Sequence, residues 1–241
     1  MTAPSGGLRR RILGWADDEF VLGHQLGEMV GAYFDLEEAV ALGSLAQDHL
    51  VHARELYGLL GIEELELDRF VFERDPAAFL NSRLVEERVD DDFAAVVVKM
   101  ALYSVAEDLR VASAAGDDAL ADVAGRIGAE EAYHREHWWD WMGILARSAE
   151  GRPRAEAALA ALVPLTVDFF DLDSGAPDGA AEFGSFRTAL GERLSAVGLR
   201  VAEFPDPGLF TRRGTHGPGL ASSLESLRMI RQPGAHQVVW G

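Results

Sequence analysis

The sequence of 241 residues contains no cysteine, which excludes a disulfide framework, a cysteine zinc site, an iron–sulfur cluster and a thiol nucleophile. Basic residues are also scarce, because 22 Lys and Arg stand against 40 Asp and Glu, for a net charge of −18. Such a surplus of negative charge repels phosphate backbones and anionic lipids. We therefore expect neither nucleic-acid nor membrane binding.

Long apolar runs are absent as well. The best stretch, residues 94–106, is interrupted by Lys99, and only a few apolar residues separate the N-terminal arginines from the first acids. The first segment is too short to span a membrane, and the second is too short for the apolar core of a secretory signal. With 48% hydrophobic residues the chain can still bury a full core, so we expect a soluble, cytoplasmic protein.

Helical periodicity dominates the sequence, and strand signals are few. The apolar spacing predicts long helices over residues 17–34, 36–61, about 91–115 and about 118–149, with Asp35 as the N-cap of the second. In that second helix the predicted apolar stripe includes Leu36 and Val40. Shorter helices are predicted over about 153–171, 181–199 and 220–230, and residues 62–90 are predicted to be irregular.

Two helical hairpins joined by a longer crossover predict an all-α protein, a ferritin-like four-helix bundle with additional C-terminal helices. We expect one domain over residues 1–241. Its core bundle would cover about 8–150, and a C-terminal helical extension would cover about 151–241.

Ferritin-like di-metal bundles take a Glu from one helix of each hairpin and Glu-x-x-His from the other. Residues three apart share a helix face, so they can hold one metal together. Here the fourth helix carries Glu131 and His134, and the second carries His49 and His52 at the same spacing. Glu19 in the first helix lies as far before the turn as His49 lies after it. We therefore expect Glu19 and His49 at one level of an antiparallel pair.

The third helix fits this pattern less well. Reflecting Glu131 through a turn centred near Asp117 reaches Tyr103, and the nearest carboxylate, Glu107, would lie about one turn off level. His49 is a second departure, since an imidazole cannot bridge two metals as a carboxylate does. A single or asymmetric site, with iron or manganese as the metal, is thus favoured over a symmetric di-iron pair. Its candidate ligands, in working or vestigial form, are Glu19, His49, His52, Glu107, Glu131 and His134.

A different interpretation of the same residues is a polar network without any cofactor, in which His and Glu side chains satisfy each other. Other features have similar alternatives. His24 and Glu28, four residues apart, would form a helix-face contact or a ligand pair, and the first is favoured. Trp138, Trp139 and Trp141 would pack in the core or line a cavity. The arginine clusters would dock an acidic partner, hold a phosphorylated ligand or form a solvated surface; they comprise Arg9, Arg10 and Arg11 near the start, and Arg212, Arg213, Arg228 and Arg231 near the end.

Several segments in order along nearly the whole chain resemble a known family. They are FVLGHQLGEMVG, ALGSLAQDHLVHARELYGLLG, FAAVVVKMAL, EEAYHREHW, FFDLD and RRGTHGPGLASSLESLRMIRQPG. The family comprises the ferritin-like subunits of the bacterial phenylacetyl-CoA epoxidase, also called the phenylacetate-CoA oxygenase, and the resemblance is closest to its non-catalytic C subunit. The resemblance implies a homologous catalytic subunit that holds a di-iron centre and epoxidises the aromatic ring with O2. C subunits are implied to be scaffolds.

Two functions follow as expectations. The first is a structural subunit in aerobic phenylacetate catabolism. It would form a hetero-oligomer with the di-iron catalytic subunit, meet the CoA thioester through that partner, and be able to self-associate. The second is an autonomous metalloenzyme that activates O2 at an iron or manganese site built from the Glu and His ligands.

Overall fold

The computed structural model describes residues 6–32, 35–89, 91–170, 179–204 and 216–230, and these residues contain helices and no β-strand. Two 3₁₀ segments lie at Pro76–Ala78 and Val163–Phe170. The α-helices are α1 (Gly6–Met29), α2 (Leu36–Leu59), α3 (Glu64–Phe72), α4 (Arg83–Glu86), α5 (Phe93–Ala114), α6 (Ala121–Arg147), α7 (Gly151–Leu162), α8 (Gly179–Ala196) and α9 (Pro218–Ile230). The predicted fold class is confirmed: the chain is all-α, with the two long hairpins of a ferritin-like bundle and further helices after them.

Local sequence signals explain three of the helix ends. Asp35 caps α2, since its side chain accepts a hydrogen bond from the Glu38 amide at 3.0 Å, and Gly61 follows the helix with a φ of 77°. Asp92 caps α5 in the same way through the Ala94 amide at 2.9 Å. These two starts and the end of α2 agree with the prediction.

Two predicted boundaries are wrong. The first helix begins at Gly6 and not near residue 17, because Ile12 and Trp15 continue its buried face toward the N-terminus. The region 62–90 is not wholly irregular either, because it contains α3, a 3₁₀ turn and α4. The many charged residues of α3 obscure its apolar periodicity in the sequence. Val71 is the residue of this helix that is buried.

The chain divides into two compact units. The first comprises residues 1–81, 86–88 and 214–241, and in it α1 and α2 pack along each other while α9 packs on α1 and α3. The second comprises residues 82–85 and 89–213, and in it α5 packs on α6, α7 and α8. The helices predicted as a C-terminal extension are thus divided between the units: α9 belongs to the first, and α7 and α8 belong to the second. The single-domain boundaries stay a prediction.

The exposed surface of the first unit differs from the prediction in one place. Leu36 and Val40 of α2 are 73% and 66% exposed and do not belong to the buried stripe. Within the described residues, no helix combines the length and the apolar character needed to cross a membrane.

Candidate metal centre

Glu19 of α1 lies between two imidazoles of α2. Its Oε2 is 2.8 Å from Nδ1 of His49 and 3.0 Å from Nδ1 of His52. Because His49 and His52 are three residues apart on one helix, both rings project toward α1, and all three side chains are buried. The equal distances of Glu19 and His49 from the turn therefore place them at one level, as predicted.

The charge of this group is balanced locally. A carboxylate only accepts hydrogen bonds, so the N–H at each Nδ1 donates a hydrogen bond to Glu19. Burial by itself would raise the pKa of Glu19, but the charges and hydrogen bonds of the two imidazoles outweigh burial and hold that pKa well below its ordinary value of 4.5. Glu19 is thus an anion held in the interior by its two histidine partners.

The same three residues have the spacing of metal ligands. Glu19, His49 and His52 each offer a ligand atom, and these atoms lie within 4.8 Å of one another. Imidazole nitrogen and carboxylate oxygen suit borderline and hard metals such as iron and manganese. The donor set fits one ion better than two, since no carboxylate stands at position 49 to bridge a pair. A buried Glu and His group that could hold a metal ion is therefore present.

The second unit repeats the carboxylate–imidazole contact. Glu131 and His134 lie three residues apart on α6, with Oε1 of Glu131 2.8 Å from Nδ1 of His134, and both are buried. This is the Glu-x-x-His pair of the sequence pattern, formed as its spacing requires. Whether Glu131 and His134 are ligands stays a prediction.

The register of α5 and α6 differs from the sequence estimate. Gly128 packs directly on Val111, so that a Cβ on Gly128 would lie 2.8 Å from a methyl carbon of Val111. α5 and α6 run antiparallel, so the residue three after Gly128 on α6 lies opposite the residue three before Val111 on α5. These residues are Glu131 and Asp108, and Glu107 is the neighbour of Asp108. Glu107 is therefore level with Glu131, and the expected displacement of one turn is wrong.

Glu107 also has a cation of the protein beside it. Its Oε2 is 3.2 Å from Nη1 of Arg110, and the carboxylate is fully buried. Neighbouring Asp108 accepts hydrogen bonds from Arg135 and Arg193. Burial raises the pKa of Asp108, the two arginines oppose that shift, and the charge of Glu131 adds to it. Both carboxylates of α5 thus have arginine partners, Arg110 for Glu107 and Arg135 and Arg193 for Asp108. The role of Glu107 as a ligand stays a prediction.

The remaining predicted features have packing roles. His24 lies edge-on to Phe20 at 4.6 Å, and burial lowers its pKa to about 4, whereas the charge of Glu28 acts in the opposite direction. Trp141 packs edge-on to Phe93 at 5.0 Å, and Nε1 of Trp139 donates to Oγ of Ser104 at 3.2 Å. Trp138 is fully buried, and its Nε1 has no hydrogen-bond partner among the described residues.

The arginine clusters are only partly described. Arg9 donates to the carbonyl of Leu60 at 3.3 Å, and Arg228 donates to the carbonyls of Phe72 and Arg74 at 2.9 and 2.7 Å. These two side chains bind backbone of the same unit. Three further members of the predicted clusters, together with most of the loop and tail segments around them, lie outside the described residues; they are Arg212, Arg213 and Arg231.

A buried network around Asp17 was not predicted. Oδ1 of Asp17 accepts from Tyr57 at 2.6 Å and from Arg74 at 2.5 Å, and Oδ2 accepts from the Leu80 amide at 2.7 Å. The Arg74 guanidinium stacks over the ring of Phe79 at 3.6 Å. The one signal in the sequence is the run Asp17, Asp18 and Glu19 on a helix face that also carries large apolar residues. Its partners lie 40 or more residues away.

Comparison with known proteins gives the family. No curated protein matches the chain. A family model described as phenylacetic acid catabolic protein matches residues 3–232, which is nearly the full length and includes all six candidate ligands. The chain therefore belongs to the phenylacetic acid catabolic protein family, which gives it a role in phenylacetate catabolism.

Proposed function

We propose that the chain is the structural, non-catalytic subunit of a phenylacetyl-CoA epoxidase-type multicomponent oxygenase, and that it pairs with a homologous di-iron catalytic subunit. Family membership supports the pathway. The resemblance of the segments quoted above to C subunits supports the structural role. In this proposal the catalytic partner binds the CoA thioester. The chain itself contributes a stable helical surface.

The observation that carries the proposal is the use of a single Glu19 oxygen by both imidazoles of α2. A di-iron pair needs bridging carboxylates, whereas position 49 supplies an imidazole with one ligand atom facing the group. Arg110 meanwhile neutralises Glu107. The buried charges are thus balanced by the protein's own side chains, as a scaffold without a working two-metal site requires.

Co-purification tests the structural role. The chain is expressed with a tag, alone and together with an untagged catalytic homologue from the same family. We expect the pair to elute as one complex and the isolated chain to leave phenylacetyl-CoA unchanged when reductase and O2 are supplied. Separate elution of the two subunits over a range of salt concentrations would contradict the pairing, and turnover by the isolated chain would contradict the non-catalytic role.

A second function is favoured by the close spacing of the ligand atoms of Glu19, His49 and His52. Here the chain would be an autonomous metalloenzyme, with one ion held by these residues and with Glu131 and His134 as predicted further ligands. Bound iron or manganese would supply O2-activating chemistry. The protein's own contribution would be to hold the ligands rigid and away from water, which their burial in α1, α2 and α6 provides.

Metal analysis separates the two functions. After aerobic purification the structural proposal predicts far less than one iron or manganese per chain. Near-stoichiometric metal that is lost in His52→Ala combined with His134→Ala would favour the metalloenzyme. His137→Ala is the matched control, since His137 lies on α6 three residues after His134, is half-buried and is not a candidate ligand. Metal lost equally in that control would indicate unspecific binding.

A further inference from the structure

The C-terminal helix α9 is attached to the first unit by polar contacts at its start and apolar contacts along its length. Leu220, Leu224 and Leu227 are buried, and Nε2 of Gln25 donates to Oγ of Ser223 at 3.1 Å. Immediately before α9, His216 contacts two segments distant in sequence. This histidine has no part in the candidate metal centre.

Both ring nitrogens of His216 face acceptors. Nδ1 lies 2.9 Å from Oε2 of Glu86, and Nε2 lies 2.9 Å from the carbonyl oxygen of Phe79. Neither a carboxylate nor a carbonyl oxygen can donate, and a neutral imidazole carries only one N–H. Only the doubly protonated ring satisfies both contacts. A neutral ring would turn a lone pair toward one of the two oxygens.

Glu86 is the centre of the contact. Its carboxylate is buried, and it also accepts hydrogen bonds from the Gly217 amide and from Nδ2 of Asn81. The backbone approaches closely here, because a Cβ on Gly219 would overlap the carbonyl oxygen of Glu86. The first turn of α9 therefore rests on Glu86, and the imidazolium of His216 is the cation that balances this buried carboxylate.

The other charges around His216 come from α1 and from the segment that follows α3. Asp17 of α1 acts on the ring as a second anion, and Arg74 is bound to Asp17 and stacks on the Phe79 ring. The first turn of α9 contains no acid. Burial lowers the pKa of His216, but the hydrogen bonds to Glu86 and Phe79 and the charges of Glu86 and Asp17 raise it above its ordinary value of 6.5.

We propose that His216 and Glu86 form a pH-dependent latch, which fixes the first turn of α9 while His216 is protonated and releases it when the proton is lost. Because the folded-state pKa is raised, the stabilisation is complete below pH 6.5 and is lost as the pH rises through the folded-state value. Release would expose the apolar side of α9 that carries Leu220, Leu224 and Leu227. The latch thus links alkaline pH to the accessibility of a buried apolar surface.

Hydrogen–deuterium exchange of the full chain tests the latch. Peptides covering residues 220–227 are compared at about pH 6 and about pH 9, after correction for the intrinsic exchange rate. We expect their protection to fall by about tenfold for each unit by which the folded-state pKa exceeds that of the released ring. Peptides of α6 should keep their protection. Protection of α9 that does not change with pH would overturn the proposal.

Two variants and a direct titration complete the test. His216→Gln should give weaker protection of α9 at about pH 6 and abolish its pH dependence, whereas His137→Gln on α6 should behave like the unaltered chain. The NMR resonance that disappears in His216→Gln reports the pKa of this ring in the unaltered protein. In Glu86→Gln that pKa should fall toward 6.5. A His216 pKa at or below 6.5 in the unaltered protein would overturn the latch even if the variants fail to fold.

Discussion

Replacing Glu19 by Gln removes one buried charge and almost no volume. Since both imidazoles contact the same oxygen, Oε2, the amide oxygen of Gln can still accept both hydrogen bonds. What is lost is the charge of the acceptor. A hydrogen bond to a charged group contributes about 1.5–3 kcal/mol, against about 0.5–1.5 kcal/mol for a neutral one. Two such bonds give an expected loss of about 2 kcal/mol in the free energy of unfolding.

Glu131→Gln is the matched comparison. Glu131 accepts a hydrogen bond from the imidazole of His134, and for that bond the same reasoning gives about 1 kcal/mol, against about 2 kcal/mol for the two bonds at Glu19. The assay is urea unfolding at about pH 7 in the presence of a chelator, followed by circular dichroism and by tryptophan fluorescence. Coincident transitions by the two probes are required before a free energy is extracted, because the chain forms two compact units.

The pH dependence supplies an independent check. The folded-state pKa of Glu19 is depressed, so its contribution is present above its ordinary pKa of 4.5 and is lost as the pH falls through the folded-state value. The difference between the unaltered chain and Glu19→Gln should therefore persist from neutral pH down to about 4.5 and close below it. A cost under about 0.5 kcal/mol at neutral pH, or a larger cost at Glu131 than at Glu19, would refute the view that the hydrogen bonds of Glu19 to His49 and His52 stabilise the fold without a metal.

Three further substitutions test contacts outside the candidate ligand set. Tyr57→Phe removes a donor to buried Asp17 and should cost about 1–3 kcal/mol in urea unfolding, and an unchanged midpoint would mean that Arg74 and the Leu80 amide satisfy Asp17 without it. Gly128→Ala should cost about 1–3 kcal/mol by overpacking against Val111, and Val111→Ala in the same chain should recover part of that loss if the α5–α6 register is correct. Gly219→Ala should lower the exchange protection of α9 and leave that of α6 unchanged, because its Cβ would displace the first turn from Glu86.

The sequence allowed the α1–α2 half of the site to be predicted because that geometry is local. α1 ends at Met29 and α2 begins at Leu36, so only a short connection joins the two antiparallel helices. Residues at equal distances from that connection lie at one level, and Glu19 and His49 are such a pair. The same approach gave the wrong level for Glu107. There the turn centre does not fix the register, since the absence of a side chain at Gly128 lets α6 approach α5 at Val111.

Other features depend on which surfaces neighbouring elements cover and on contacts between distant segments, which periodicity does not reveal. Leu36 and Val40 continue the apolar pattern of α2, yet they are 73% and 66% exposed. The contacts of Asp17 with Arg74 and of Glu86 with His216 join residues 57 and 130 positions apart. No spacing rule connects residues at such separations, so neither network could be derived from the sequence.

The carboxylate–imidazole pairs also bear on the choice between scaffold and metalloenzyme. Each unit contains a buried Glu whose oxygen accepts a hydrogen bond from Nδ1 of a histidine, at 2.8 Å for both His49 and His134. A metal bound through these nitrogens must first remove those protons, so its binding competes with contacts that already stabilise the fold. A scaffold gains from such contacts directly. For a metalloenzyme they are a cost that the ion has to exceed, and the stability of Glu19→Gln in the presence of chelator measures that cost.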